Sequence, residues 1–183
     1  MIKNLPIVIF VILLSFSNLS FSQVENPYAG FEPLDLKNHK EYSKNFNAGN
    51  FSTKIFYNCL TDVIDAARKQ YAYLEPLKHD IAFDSAAQMQ ADYQALKNEK
   101  TDINLAPYKT LNFRLKKYGL SHRGVELVTK GKAYIGIQDF SYYDACMELI
   151  RPILKNQKQA VILLDPQYTY VGLGFETDEF MKS

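Results

Sequence analysis

The sequence predicts one α+β domain, on three observations. Four segments carry apolar residues at helical spacing, whereas three short runs are rich in β-branched and aromatic residues. These segments interleave without the regular rhythm of βαβ units, which favours an α+β sandwich over a doubly wound parallel sheet. The chain has 183 residues, of which 47% are hydrophobic and 22% charged, and this composition is sufficient for one ordinary core.

Composition and charge exclude several classes of protein. Lys and Arg total 21 against 20 for Asp and Glu, so the chain lacks the basic excess that nucleic-acid binding needs. Two cysteines are too few for a disulfide-stapled miniprotein, and the apolar content is too high for a disordered or collagen-like chain. We therefore expect a charge-balanced globular protein with no nucleic-acid partner.

The first 22 residues have the pattern of a secretory signal peptide. Lys3 supplies the positive start, Ile7–Leu14 is an unbroken apolar run, and Ser20-Phe21-Ser22 places small residues where a signal peptidase cuts. This apolar run is too short to cross a bilayer as a helix, which favours a cleaved signal over a membrane anchor. We expect cleavage before Gln23, no later transmembrane segment, and a periplasmic or extracellular location. The leader and the scarcity of cysteines are typical of a bacterial protein.

The chain is predicted to divide into three parts. Residues 1–22 form the signal peptide. Residues 23–52 form an amino-terminal extension, because turn-forming residues recur there without a helical or strand period. Residues 53–183 form the folded domain.

Four helices are predicted in this domain from apolar periodicity and from end signals. The last opens with a capping box between Ser141 and Asp144, and Pro152 is expected to end or kink it. Gly119 is expected to stop the third. The predicted helices span residues 56–71, 80–97, 110–119 and 141–152.

Three strands are predicted from β-prone composition. Gly124–Val128 and Ala133–Gln138 are separated by a predicted turn at Lys130-Gly131, and Tyr168–Phe175 is the strongest strand signal. The two cysteines, Cys59 and Cys146, fall on apolar faces of predicted helices. In an exported protein they could form a disulfide, but buried free cysteines are also common, so both states stay open.

Five short motifs follow one another between residues 56 and 176. They are Asp65 with Arg68, Leu77 with Asp80, Arg114 with Tyr118-Gly119, Gly124-Val125-Glu126, and the block Leu163-Leu164-Asp165-Pro166-Gln167-Tyr168-Thr169-Tyr170-Val171-Gly172. In order and spacing they resemble the CAP family of cysteine-rich secretory, antigen 5 and pathogenesis-related 1 proteins, also called the SCP domain. The resemblance implies an α-β-α sandwich, in which helices flank a small antiparallel sheet.

Two departures from the family pattern bear on function. Metal-binding members converge two His and two Glu on a cleft, because a divalent ion such as Zn²⁺ takes these ligands. The histidines of this chain are His39, His79 and His122. None falls at a family position, and Gln159 stands where the second His is expected. We therefore expect no metal and no cofactor. The family's final strand is also missing, so Ala133–Gln138 is the expected additional partner of the sheet.

The resemblance implies that Glu126 faces a binding cleft, with Gln159 and Glu148 as further candidates. Ordinary roles remain open for all three. Glu126 could be a strand-end carboxylate, Glu148 an exposed helix charge near Arg151, and Gln159 a surface amide. Arg114 is expected to pair with a carboxylate, and Tyr118 to pack in the core.

Tyrosine is abundant, with 13 residues, and could line a groove for an apolar ligand or a glycan, although core packing is the commoner role. The tyrosines considered for a groove are Tyr71, Tyr73, Tyr93, Tyr134, Tyr142 and Tyr143. The chain has no G-x-S-x-G, H-E-x-x-H, P-loop or G-x-G-x-x-G motif.

These observations predict an exported CAP-like domain that binds a ligand and does not catalyse a reaction. The resemblance allows a lipid, a cell-wall polymer or a protein as the partner. One alternative is a metal-independent hydrolase that uses Glu126 as general base. The other is a secreted interaction protein in which residues 23–52 make the contact and the domain is a scaffold.

Overall fold

The computed structural model describes residues 7–15, 27–28, 30–47, 49–98, 110–120, 124–132 and 140–177. Helices and strands both occur, which confirms the predicted α+β class. Within these residues no helix is both long enough and apolar enough to cross a membrane. The elements in chain order are β1 (Ile7–Ser15), α1 (Leu34–Lys37), α2 (Thr53–Ala72), β2 (Lys78–His79), α3 (Ile81–Asn98), α4 (Leu111–Lys117), β3 (Gly124–Lys132), α5 (Tyr142–Lys155), α6 (Gln157–Leu163) and β4 (Tyr170–Thr177).

The four strands form one sheet in the order β2-β4-β1-β3. β1 is antiparallel to both of its neighbours and pairs with nine residues of β3 and seven of β4. The two-residue β2 is parallel to β4. Because β1 lies between β3 and β4, these two strands depend on it for their place in one sheet.

The central strand β1 is the apolar run that the sequence analysis assigned to a cleaved leader. The sheet described here therefore belongs to the full chain, and a chain cleaved before Gln23 would need another strand between β3 and β4. Ala133–Gln138, the segment expected to supply the additional strand, lies outside the described residues.

Helices pack on both faces of the sheet, around two clusters of buried side chains. The main core joins α2, α5 and α6 to Leu127 of β3 and Leu173 of β4. The second core joins α3 to α4, with Phe83 and Leu115 buried and Val128 of β3 packed against them. Since side chains alternate along a strand, Leu127 and Val128 face opposite sides.

The segment predicted as an extension contributes to the main core. Phe31, Tyr42 and Phe46 are all buried there. Phe46 also packs in tilted contact with Tyr142 of α5, with ring centroids 4.8 Å apart. The described part of this segment is thus a covering layer of the same domain. Its core residues have no regular spacing, which explains why periodicity did not reveal them.

Helix α3 packs directly against β4. A Cβ atom placed on Gly172 would lie 2.2 Å from the backbone carbonyl carbon of Phe83, so the two backbones touch. The side chains of α3 also bond the outer edge of β4: Asp84 Oδ1 accepts from the amide of Leu173 at 2.7 Å, and Gln88 Oε1 from that of Phe175 at 3.2 Å. These bonds replace a neighbouring strand along this edge.

Two of the motif residues anchor α2 to the turns around it. The Arg68 guanidinium donates to the carbonyl oxygens of Leu163, at 2.8 Å, and Tyr168, at 3.0 Å. The Asp65 carboxylate accepts from the amide of Leu77 at 3.0 Å. Asp65 and Arg68 therefore have structural roles, because they satisfy backbone groups that connect separate elements.

The predicted capping box at the start of α5 is confirmed. Ser141 Oγ accepts from the Asp144 amide at 3.2 Å, and the Asp144 carboxylate accepts from the Ser141 amide at 3.0 Å. Pro152 does not end this helix, because the buried Ile153 and Leu154 that follow continue the packing of α5 against the main core.

The predicted turn at Lys130-Gly131 is wrong, since β3 continues to Lys132. A Cβ atom on Gly131 would lie 2.9 Å from Leu149 Cδ2 of α5. The glycine therefore permits close packing of α5 on the strand. Helices α1 and α6 were not predicted, and both are short.

Candidate functional site

The predicted cleft residue Glu126 is engaged in a salt bridge. It lies on β3, and one carboxylate oxygen accepts from the guanidinium Nη2 of Arg114 on α4. The Arg114 side chain is fully buried and that of Glu126 is 19% exposed. The expected pairing of Arg114 with a carboxylate is thus confirmed, and Tyr118 packs against the second core as expected.

The pKa of Glu126 reflects two opposed effects. Burial raises this pKa, whereas the charge of Arg114 and its hydrogen bond favour the ionised carboxylate and lower it. A general base needs a lone pair directed at a substrate proton. Because one oxygen of Glu126 already binds Arg114, the geometry favours a structural ion pair over general-base catalysis.

The three candidate cleft residues are not grouped by the fold. Glu126 faces α4, on the side of the second core. Glu148 lies on α5 beside Gly131, where an added Cβ atom would be 3.5 Å from the Glu148 Cβ. Gly131 is an odd-numbered residue of β3, so its face is opposite to that of Glu126. Gln159 lies in the first turn of α6, which packs on the main core with α5.

The Glu126 pair supports a stability prediction. We expect Glu126→Gln to lower the free energy of unfolding by about 2–3 kcal/mol, because the buried Arg114 charge loses this carboxylate. The same change at the partly exposed Glu148 is the control, with an expected effect within about 0.5 kcal/mol. Urea unfolding followed by circular dichroism measures both. If the two variants lose the same free energy of unfolding, the salt bridge between Arg114 and Glu126 does not stabilise the fold by about 2–3 kcal/mol, the size expected for a buried pair.

A pocket of about 440 Å³ lies at a different place, beside α2. We call it the tyrosine pocket. Four of its residues are on α2 and form two adjacent pairs that lie one turn apart, while one residue comes from the segment before α2 and one from β2. The lining residues are Tyr42, Tyr57, Asn58, Thr61, Asp62 and His79.

Hydrogen bonds hold the walls of the tyrosine pocket. The Tyr42 hydroxyl donates to Asp62 Oδ2 at 2.5 Å. On the opposite wall, His79 Nε2 lies 3.2 Å from Oδ1 of Asp84, the same oxygen that accepts from β4. The Thr61 hydroxyl donates to the Tyr57 carbonyl oxygen at 2.9 Å. The side chains of Tyr42, Asp62, Thr61 and His79 are therefore positioned before any ligand arrives.

Both phenols of the pocket are neutral near pH 7. Burial and the nearby charge of Asp84 raise the pKa of Tyr57 to about 12. Burial and the hydrogen bond to Asp62 raise the pKa of Tyr42 as well. A neutral phenol has a ring face and a hydroxyl, which suits recognition of an uncharged polar ligand. The Tyr42 O–H already donates to Asp62, so its oxygen is available as an acceptor.

A second, larger depression of about 680 Å³ lies between α1 and α2. Its walls include Leu34, with 60% of its surface exposed, and Tyr73, with 93%. Among its polar side chains, Glu32 is paired with Lys37 at 3.1 Å, whereas Lys69 and Gln70 are exposed and long. Ordering them on a ligand would cost more conformational entropy than using the fixed groups of the tyrosine pocket, so we take the tyrosine pocket as the candidate site.

The tyrosines considered from sequence have different environments. Tyr142 and Tyr143 are buried in the main core, which confirms the packing role for both. Tyr73 is exposed at the larger depression, and Tyr71 packs edge-on against Tyr28, with ring centroids 4.9 Å apart. Tyr134 lies outside the described residues. Tyr42 and Tyr57, which line the pocket, were not among the candidates.

The residues that the structure describes contain no group of three or more His, Cys, Asp or Glu side chains placed to hold a metal ion. His79 is in the tyrosine pocket beside one carboxylate, and the His39 ring is in tilted contact with Tyr42, with centroids 4.1 Å apart. His122 lies outside the described residues.

Comparison with known proteins gives no relative, since no family model, curated protein or solved structure matches this chain. The candidate site therefore rests on the contacts of its own residues. One sequence signal was available for it, because Asn58, Thr61 and Asp62 cluster on the polar face of the first predicted helix. The spacing of these three residues does not show that Tyr42 and His79 complete the lining of the pocket.

Proposed function

We propose that this chain is an exported, CAP-like domain that binds a cell-wall glycan in the tyrosine pocket without catalysis. The observation that carries the binding role is the convergence of two neutral phenols, an amide, a hydroxyl and a carboxylate on one pocket. Glycan recognition combines aromatic faces with fixed donors and acceptors. A lipid would need a deep apolar cavity, and the polar lining of this pocket favours a glycan over a lipid.

Two features support the CAP-like part of the proposal. Helices pack on both faces of the sheet, as an α-β-α sandwich requires. The residues that carry the resemblance also occupy structural positions: Arg68 anchors the turns around β4, Arg114 pairs with Glu126, and Gly172 contacts α3. Export is proposed from the leader pattern alone, and with the sheet described above it requires that Ile7–Ser15 stays on the chain or that another strand takes its place.

Binding rather than hydrolysis is favoured by the salt bridge at Glu126. The only carboxylate suggested as a general base is paired with Arg114, and it does not line the tyrosine pocket. A protein partner acting through residues 23–52 is less favoured, since Phe31, Tyr42 and Phe46 of that segment are buried.

The proposal predicts that insoluble peptidoglycan will co-sediment with the purified protein. We expect the double substitution Asn58→Ala with Asp62→Ala to weaken this binding at least about tenfold, because two hydrogen-bonding groups of the pocket are removed. Both residues are exposed, but Asp62 also accepts from the hydroxyl of the buried Tyr42, so some loss of stability is expected and retention of the fold is measured for this variant. Circular dichroism and the melting temperature check this.

The matched control is Lys69→Ala with Gln70→Ala, two exposed residues of the same helix at the larger depression. Unchanged affinity in this control, together with loss in the pocket variant, supports the proposed site. Loss of binding in both variants, or in neither, contradicts it. Binding to phospholipid vesicles but not to peptidoglycan would overturn the choice of a glycan.

A further inference from the structure

The two cysteines are both in the main core, although they are 87 positions apart in the sequence. Cys59 on α2 and Cys146 on α5 both have no exposed surface. Cys146 Sγ lies 3.7 Å from the carbonyl oxygen of Phe56, one turn before Cys59 on the same face of α2. Phe56 and Cys59 are both on the buried face of α2, so the Cys146 thiol lies against the turn of the helix that carries Cys59. The packing of α2 on α5 therefore brings two thiols together at one point.

We propose that Cys59 and Cys146 form a disulfide bond that links α2 to α5. This inference concerns a covalent modification and goes beyond the proposed binding function. In the cell it depends on the proposed export, because exported compartments supply oxidants that the cytosol lacks. The closed loop would contain β2, α3, α4 and β3, so the bond would restrict much of the unfolded chain.

The reaction needs a disulfide oxidant, for which oxidised glutathione is the test reagent. The thiolate of one cysteine attacks a sulfur of glutathione disulfide and displaces one glutathione thiolate, giving a mixed disulfide. The second cysteine thiolate then attacks the protein sulfur and displaces the other glutathione. The protein loses two protons and two electrons, and one oxidised glutathione becomes two reduced molecules.

The timing of this reaction follows from burial. No surface of either cysteine is exposed in the folded chain, so an oxidant cannot approach them. Burial and the neighbouring Cys59 also raise the pKa of Cys146, which disfavours the reactive thiolate. The bond should therefore form while α2 and α5 are still separate, and the folded reduced protein should resist oxidation.

The test compares two samples of the full chain in oxidised glutathione. One is reduced, denatured and allowed to refold in the oxidant, and the other is folded in the reduced state before the oxidant is added. We expect the first to lose the mass of two hydrogen atoms and to yield a linked Cys59–Cys146 peptide in a non-reducing digest. We expect the second to react at least about tenfold more slowly.

Cys146→Ala is the matched control, since it keeps one thiol and cannot form the link. A disulfide that fits the native packing should raise the melting temperature of the linked chain by about 5–10 °C relative to the reduced chain. The proposal is overturned if the refolded chain keeps both thiols or carries only glutathione adducts. It is also overturned if the linked chain melts below the reduced one.

Discussion

A chain that begins at Gln23 is expected to lose most of its stability relative to the full chain. β1 supplies the backbone partners of β3 on one side and of β4 on the other. Without it, buried amide and carbonyl groups of two strands lose their partners, at about 1–3 kcal/mol for each unsatisfied group. The expected loss is at least about 5 kcal/mol, comparable to the whole free energy of unfolding of an ordinary domain. Urea unfolding followed by circular dichroism measures it.

A subtler variant separates the role of β1 from that of chain length. Val11 is paired with Val128 of β3 and Gly174 of β4. Val11→Pro removes the backbone N–H of this residue, and we expect faster amide exchange across Gly124–Lys132 and Tyr170–Thr177. Val11→Ala keeps the N–H and should show much less change. Equal exchange in both variants would argue against β1 as the central strand.

The stability of the chain that begins at Gln23 also bears on export. One molecule cannot both lose residues 1–22 to a signal peptidase and hold Ile7–Ser15 in its sheet. If the chain from Gln23 is as stable as the full chain, the sheet closes by another route and a cleaved leader is compatible with the fold. If it is unstable, an exported protein must either keep the segment or bind another strand in its place. The amino-terminal residue of the protein purified from cells, read by mass spectrometry, distinguishes these cases.

Local patterns were sufficient to predict the larger helices. The apolar periodicity of α2 and the Ser141–Asp144 capping box are set by residues a few positions apart, so the sequence shows them directly. The pairing of Arg114 with a carboxylate was also expected, because a buried guanidinium needs an anionic partner. Nothing local identified Glu126 as that partner.

Features that depend on distant segments were not predictable. An apolar run such as Ile7–Leu14 suits a leader and a buried strand equally well, because both need only apolar side chains. The tyrosine pocket takes Tyr42, four residues of α2 and His79 from three separate segments of the chain. Gln159 and Glu148 were proposed from motif order alone, and motif order does not determine which face of the sheet a helix covers.

Gly172→Ala is expected to destabilise the protein strongly, as is Gly174→Ala, whose added Cβ atom would lie 2.2 Å from the amide nitrogen of Gln88. At Gly172 the new Cβ atom would lie 2.2 Å from the carbonyl carbon, 2.4 Å from the carbonyl oxygen and 2.4 Å from the Cβ atom of Phe83. Two of these atoms belong to the α3 backbone, which cannot rotate aside as a side chain would. The helix must move off the strand, and we expect a loss of about 3 kcal/mol or more in the free energy of unfolding.

Displacing α3 would also lengthen the bonds that Asp84 and Gln88 make to the β4 edge, so the loss should be cooperative along the helix.

Gly30→Ala is the matched control, because nothing lies within 4 Å of its added Cβ atom and its expected effect is close to zero. Urea unfolding, with amide exchange of Leu173 and Phe175 as a local probe, measures both variants. If Gly172→Ala is as stable as Gly30→Ala, α3 does not lie in backbone contact with β4. The glycine of the Val171-Gly172 motif would then need another explanation than the packing of helix on strand.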